Sequence, residues 1–315
     1  MTTNTILKVI LTYFGVALII LVSAHLFPTE SFIPTLLSVL LLIPIYVWHR
    51  NYEEKAKLSK EINGRDKDTV LFWIFTLFIL ALSIRIPSVL LFGNPYEKTP
   101  LIYLVILTII INEKTDVLAF GFKTKNIGKS LFYGLAFFAV LDVLMLLILY
   151  LLIYVFTNQT PVVSYYVTTF LLTMPFQTLL VGVSEEGLFR GYIQTHLRKF
   201  YVSKSILLQA FLFGVWHFVW NLSPFDPSGM AQYVASTFFI GLMFGYFYSK
   251  TRNLAPLVFA HGFWNSFSQG ILANEAAFDA LQLLPMSNQI LAWCLPYAIS
   301  ATLTFFFIKY FVKEI

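Results

Sequence analysis

Ten apolar runs separated by short polar stretches make up most of this 315-residue chain: 6–27, 32–48, 70–92, 101–112, 131–156, 168–193, 205–220, 231–248, 257–272 and 290–311. Nine of them approach or exceed the roughly 17 to 25 residues that cross a bilayer as a helix, the shorter ones gaining length from their flanks. The run at 101–112 is short and reads as half-inserted, or as a span only with help from its ends. The pattern predicts an all-α polytopic transmembrane helical bundle of about ten spans. Composition agrees: 58% of residues are hydrophobic and only 12% charged, against roughly 25% charged in a soluble domain.

Charge then orients the bundle. Lys8, the cluster Arg50, Lys55, Lys57, Lys60, Arg65 and Lys67, then Lys114, Lys123, Lys125, Lys129, Arg198, Lys199, Lys204, Lys250, Arg252, Lys309 and Lys313 all fall in alternate connections, and Lys98 alone falls in the others. Cytoplasmic loops carry the excess of Lys and Arg, so both termini are expected in the cytoplasm of an integral multi-pass protein, in the plasma membrane if the source is prokaryotic. The net charge of +5 is a membrane-surface property and implies no nucleic-acid partner. The mixed-charge stretch 51–69 divides an N-terminal hairpin and loop, 1–69, from the remainder, 70–315. A second polar connection, 113–130, carries Gly121 and Gly128 as breakers. Val22, Ser23 and Ala24 imitate a signal-peptide cleavage site, but only Lys8 precedes them and the run continues, so it is read as a span. Cys294, the single cysteine, excludes an internal disulfide. His25, His49 and His196 are read as interfacial, and the many aromatics as belts.

The chemistry lies in charges that interrupt apolar runs. Glu185, Glu186 and Arg190 sit within and at the end of one, and a carboxylate at the centre of a membrane helix costs about 2.5 to 3.5 kcal/mol. Glu186 and Arg190 are spaced to pair along one helix face, which offsets that cost and aims Glu185. Two later segments share the form H-x-x-W-N, at His217 to Asn221 and at His261 to Asn265, a spacing that puts histidine and asparagine on one helical face. Counting from the span ends places Glu185, His217, His261 and Asn265 in one layer in the cytoplasmic half. A glutamate and a histidine there can hold and activate a water, and His261 with Asn265 can stabilise an oxyanion. Arg85 and Asp142 are the other intramembrane charges, candidates for a structural pair although their estimated depths differ.

At these residues the chain resembles the CPBP family of intramembrane proteases, which includes the CAAX-processing proteases. The shared motifs are E-E-x-x-x-R at Glu185, Glu186 and Arg190, F-x-x-x-H at Phe213 and His217, and H-x-x-x-N at His261 and Asn265, within a core of 164–272. The resemblance implies a glutamate-dependent or metal-dependent endopeptidase with its cavity reached from the cytoplasm. It makes Glu185 and His217 the water-activating pair, His261 and Asn265 the oxyanion holders, and Glu186, Arg190 and Phe213 supports. Its partners are the lipid bilayer and a membrane-associated protein or peptide substrate. Metal use stays open at this level: Glu185, His217 and His261 could ligate zinc or another divalent ion, with the metal-free version preferred.

Other proteolytic chemistries fit worse. No H-E-x-x-H or G-x-G-D occurs, and Gly182, Val183 and Ser184 give a G-x-S followed by Glu185, where a serine-type site wants a small residue. A transporter or channel with Arg85, Asp142, Glu185 and Glu186 along its path is the rival from another class. A non-catalytic CPBP-type scaffold or immunity protein is the third reading.

Overall fold

The computed structural model describes residues 3–62, 64–202 and 204–315. Every apolar run coincides with helix. Their order is α1 (Thr3–Leu26), α2 (Phe32–Leu40) continued by α3 (Leu42–Lys55), α4 (Lys67–Phe92), α5 (Lys98–Leu107) with a π-helical turn Thr108–Asn112, then α6 (Ile127–Phe138) and α7 (Leu144–Thr157) joined through the π-helical turn Ala139–Val143. A short strand β1 (Val162–Tyr165) precedes the long motif-bearing helix, which runs as α8 (Val167–Phe176), α9 (Val183–Glu186) and α10 (Thr195–Phe200) with π-helical stretches between them. There follow α11 (Ser205–Trp216), α12 (Pro227–Thr251), α13 (Ala255–Gly270), β2 (Ile271–Ala273), α14 (Glu275–Gln282) and α15 (Met286–Phe311). The architecture is an all-α polytopic helical bundle. Seven of these helical stretches are long and apolar enough to cross a membrane, and Lys98–Asn112 and Ser205–Asn221 are shorter apolar helices.

Apolar residues point both ways, as expected where lipid replaces water. On α4, Leu77, Phe78 and Ala81 are buried while Phe72, Phe75 and Ile79 are exposed, so the helix is hydrophobic all round. The largest core joins Tyr13 and Ile20 of α1 to Leu77, Leu104, Leu188, Phe189 and Trp216, which ties the N-terminal hairpin to the motif-bearing helix. A second core centres on Phe137, Phe244, Phe247 and Leu257.

Hydrogen bonds define two ends. At the basic end, Ser59 N–H donates to Lys114 O at 3.0 Å, Leu254 N–H to Gly121 O at 2.8 Å and Ile315 N–H to Thr251 O at 3.2 Å, and Lys199 reaches Ile62 O at 2.7 Å. At the opposite end β1 and β2 pair antiparallel, and Tyr166 N–H donates to Gly270 O at 2.8 Å. Both segments are only three to four residues long. This pairing was not visible in the hydrophobic pattern.

Candidate active site

The site forms because four helices are interrupted or begin where a buried charge needs them. Glu185 and Glu186 occupy α9, a single α-helical turn between π-helical stretches Gln177–Gly182 and Gly187–Gln194. The wider π turns rotate the glutamates relative to the apolar faces before and after them, a distortion frequent at functional sites. Close approach of α13 holds this turn in place: a Cβ on Gly182 would lie 2.7 Å from Val258 O, and one on Gly262 would overlap Thr178. Gly182 is therefore a packing glycine, and Ser184 Oγ bonds back to Val181 O at 3.1 Å within its own helix. The serine-type reading of that G-x-S has no support in this geometry.

Glu185 is 2% exposed. Its Oε1 accepts from the Lys98 ammonium and from Trp216 Nε1 at 3.0 Å, with Arg85 Nη1 3.8 Å away. Its Oε2 is buried and accepts no hydrogen bond. That oxygen faces His217 Nε2 at 3.9 Å and His261 Nε2 at 3.7 Å.

Each histidine is oriented through its other nitrogen. His217 Nδ1 lies 2.8 Å from Phe213 O, and a carbonyl can only accept, so Nδ1 carries hydrogen and Nε2 is left facing Glu185. His261 Nδ1 lies 2.8 Å from Glu186 Oε1, the arrangement in which a carboxylate fixes ring and tautomer. Glu186 also accepts from Arg190 Nη1 at 3.2 Å. The Arg190 guanidinium lies over the Phe213 ring, 4.2 Å from its centroid. Phe213 thus supports the site twice, by ring and by carbonyl.

Asn265 Nδ2 donates to Gln177 Oε1 at 3.1 Å, one turn beyond His261 on α13. The second H-x-x-W-N behaves differently from the first. Helix α11 ends at Trp216 and 3₁₀ geometry takes over at Phe218–Asn221, so four-residue spacing no longer stacks Asn221 on His217. The equal faces expected of the two echoes are not equal.

Several participants were missed or misplaced by sequence reasoning. Lys98 was counted as the lone basic residue of an outer loop, but it is 5% exposed and bound to Glu185. The signal was the charged pair Glu97 and Lys98 at the head of the short apolar run. Arg85 does not meet Asp142: its Nη1 binds Glu97 Oε1 at 2.5 Å, its Nε donates to Trp216 O at 3.2 Å, and it lies over the Trp216 ring at 4.3 Å. Asp142 is buried in the turn between α6 and α7 with Oδ2 unpartnered. His196, expected at the interface, is 1% exposed and binds Glu113 Oε1 at 3.0 Å.

A cavity of about 480 Å³ is lined by Arg85, Lys98, Glu185, His217, His261 and Asn265. An adjoining cavity of about 250 Å³ shares His217, His261 and Asn265 and reaches Asp142. An apolar one of about 500 Å³ continues from it past Met145, Ser236, Trp264 and Tyr297 towards α15. The mouth of the first cavity holds Gly93, Asn94, Ser268 and Gln269, all exposed, and these lie at the end away from the basic loops. The sequence reading put the approach at the cytoplasmic end. Arg85, Lys98 and His217 stand near the ends of their helices away from the basic loops, whereas Glu185 lies nearer the basic end of its own.

A metal would have Glu185 Oε2, His217 Nε2 and His261 Nε2 as its donors. Against that use, the Lys98 ammonium and the Arg85 guanidinium bring positive charge to the same carboxylate, where it repels a dication. Among the described residues no group of three His, Cys, Asp or Glu is placed to hold a metal ion.

Residues 167–267 match the family model described as Rce1-like, Type II CAAX prenyl endopeptidase Rce1-like. Comparisons with curated proteins and with solved structures return no match. The matched segment runs from α8 to α13 and contains Glu185, Glu186, Arg190, Phe213, His217, His261 and Asn265. Over this segment the chain is similar to the CAAX-type membrane proteases, and the match supports a CPBP/CAAX protease assignment.

Proposed function

We propose that this protein is an intramembrane endopeptidase that hydrolyses a peptide bond of a membrane-associated protein or peptide, with water held between Glu185 Oε2 and His217 Nε2. One observation carries the reading: a buried carboxylate oxygen with no hydrogen-bond donor faces two imidazole nitrogens at 3.9 and 3.7 Å on the wall of a cavity. Buried acceptors are ordinarily paired, and one left open beside a cavity is a place for water or substrate.

In this mechanism the water oxygen bonds to the scissile carbonyl carbon as its proton passes to Glu185 or His217. The same proton is returned to the departing amine when the carbon–nitrogen bond breaks. His261 and Asn265 take the developing oxyanion. His261 donates from Nε2 when its ring carries both protons, with Glu186 accepting the other. Asn265 has one amide hydrogen committed to Gln177 and one to offer. Lys98 and Trp216 hold Oε1, so the glutamate presents Oε2. Glu186, Arg190 and Phe213 position the histidines.

Hydrolysis here needs no metal step, and activity should survive a chelator titration of the purified protein. Against the transporter reading, the described residues below the glutamates are closely packed. Beneath the glutamates Leu188, Phe189, Tyr192 and Ile193 are at most 1% exposed, and Glu186 is committed to Arg190 and His261. The test is peptidomics of cells lacking the protein, complemented with wild type or with Glu185→Gln. Precursors that accumulate in both the null strain and the Glu185→Gln strain support the proposal. Identical processing by both complementing forms refutes it.

A further inference from the structure

The cavity is closed at the basic end of the bundle and open at the other. Below Glu185 the chain from Gly187 to Leu197 is buried throughout, and Trp216 is fully buried beside it. Above it the mouth is framed by the loop after α4, with Gly93 and Asn94, and by the end of α13, with Ser268 and Gln269, all exposed. The positions of the charged residues agree. Lys98 opens α5 at that end, Arg85 is about two turns from the end of α4, and His217 directly follows α11. The residues on the motif-bearing helix and His261 are the exceptions, each nearer the basic end of its helix by residue count.

The two ends also differ in charge. Once Lys98 is recognised as buried against Glu185, the loops at the open end hold no Lys or Arg and carry Glu30, Asp226, Glu275 and Asp279. All the remaining Lys and Arg, save the buried Arg85 and Arg190, stand at or near the closed end. Basic loops stay in the cytoplasm, so the mouth faces the other way.

We infer that the active-site cavity opens to the extracytoplasmic face, and that its substrates are polypeptides presented from the outer leaflet or the space beyond it, not cytosolic C-termini. This rests on the proteolytic reading for the word substrate, whereas the direction of the opening stands on geometry and charge alone. The apolar cavity that continues towards α15 lets a substrate keep a hydrophobic segment in the bilayer while its scissile bond enters from outside. Only about two turns of α4 lie between Arg85 and the mouth, so an extended segment of a few residues reaches Glu185 from that surface.

The experiment uses the full chain with its one cysteine removed by Cys294→Ala. Single cysteines are then introduced as Asn94→Cys and Gln269→Cys at the mouth, and as Lys125→Cys in an exposed basic loop. A membrane-impermeant maleimide is applied to intact cells, and each variant is also labelled in detergent to show that it is present and reactive. The inference requires Asn94→Cys and Gln269→Cys to label in intact cells and Lys125→Cys to label only after permeabilisation. The reverse pattern, equal labelling of all three, or no labelling at the mouth in intact cells overturns it. In the same cells, peptides whose processing depends on Glu185 must carry cut sites outside the cytoplasm, and cytosolic cut sites overturn the substrate assignment. Labelling requires no catalysis, so an outward mouth without Glu185-dependent peptides would sink the protease reading while leaving the orientation intact.

Discussion

Glu113 and Glu185 are both buried carboxylates that meet a histidine, yet their oxygens end up in different company. Glu113, at the basic end, accepts from Tyr192 Oη at 2.7 Å and lies within 3.1 Å of His196 Nε2 through both oxygens. Glu185 has one oxygen held by Lys98 and Trp216 and the other open towards two histidines across a cavity. In the first arrangement both carboxylate oxygens are engaged, which rigidifies a core. The second leaves one acceptor for a molecule that arrives later. Acid and imidazole in proximity therefore do not make a site by themselves; the open acceptor and the cavity do.

That contrast can be broken by mutation, and the largest effect belongs to the open glutamate. Glu185→Gln and His217→Ala should each lower the cleavage rate by about 10² to 10⁴, the range expected for loss of a general acid–base group. A rate within a few-fold of wild type would remove both from the mechanism. Arg190→Ala comes next, leaving Glu186 buried without its cation; about 3 to 5 kcal/mol of stability should go with it, read from thermal unfolding in detergent. An unchanged unfolding midpoint would mean that His261 alone satisfies Glu186. Lys98→Met should destabilise by a similar mechanism, and Glu185→Gln should relieve part of the loss, a coupling of about 1 to 3 kcal/mol in a double-mutant cycle. Strict additivity would show that the two side chains do not act as a pair.

Glu113→Gln sharpens the comparison from the other side. It should cost about 1 to 3 kcal/mol of stability while cleavage per folded molecule stays at the wild-type rate. The smallest effect is at Asp66, whose side chain caps α4 by accepting from Thr69 N–H at 2.9 Å. This hydrogen bond holds its carboxyl below the usual range, so capping is complete at neutral pH and is lost as pH falls through the lowered value. Asp66→Ala should fray the first turn of α4 with no change in cleavage. A measurable loss of activity would couple that helix end to the site.

How much of this was legible beforehand depended on the kind of signal. Bilayer thickness imposes long apolar runs, and all ten became helices. Motif spacing named Glu185, Glu186, Arg190, Phe213, His217, His261 and Asn265, and folding brings them to one region because all but Phe213 are polar groups otherwise unexplained in an apolar span. Lys98 left only a faint signal, the charged pair it forms with Glu97, since a lysine at the edge of a short apolar run looks like loop until the helix is seen to begin inside the bundle. The partner of Arg85 could not be read either: Glu97 is twelve positions away in sequence, and depth counting favoured nothing over Asp142. The π-helical turns around the glutamates leave no mark on a hydrophobic pattern, although they decide where those side chains point. The direction of the cavity was not legible, because span ends drawn from hydropathy carry errors of a turn, and a turn on several helices moves the site from one half of the bundle to the other.

The most direct test of the central claim compares three purified proteins, wild type, Glu185→Gln and Glu113→Gln, cleaving a precursor that accumulates in cells lacking the gene. With rates normalised to the folded fraction, the account predicts that Glu113→Gln matches wild type and that Glu185→Gln falls by at least about a hundredfold. Equal rates for wild type and Glu185→Gln, or equal losses for the two variants, would contradict it.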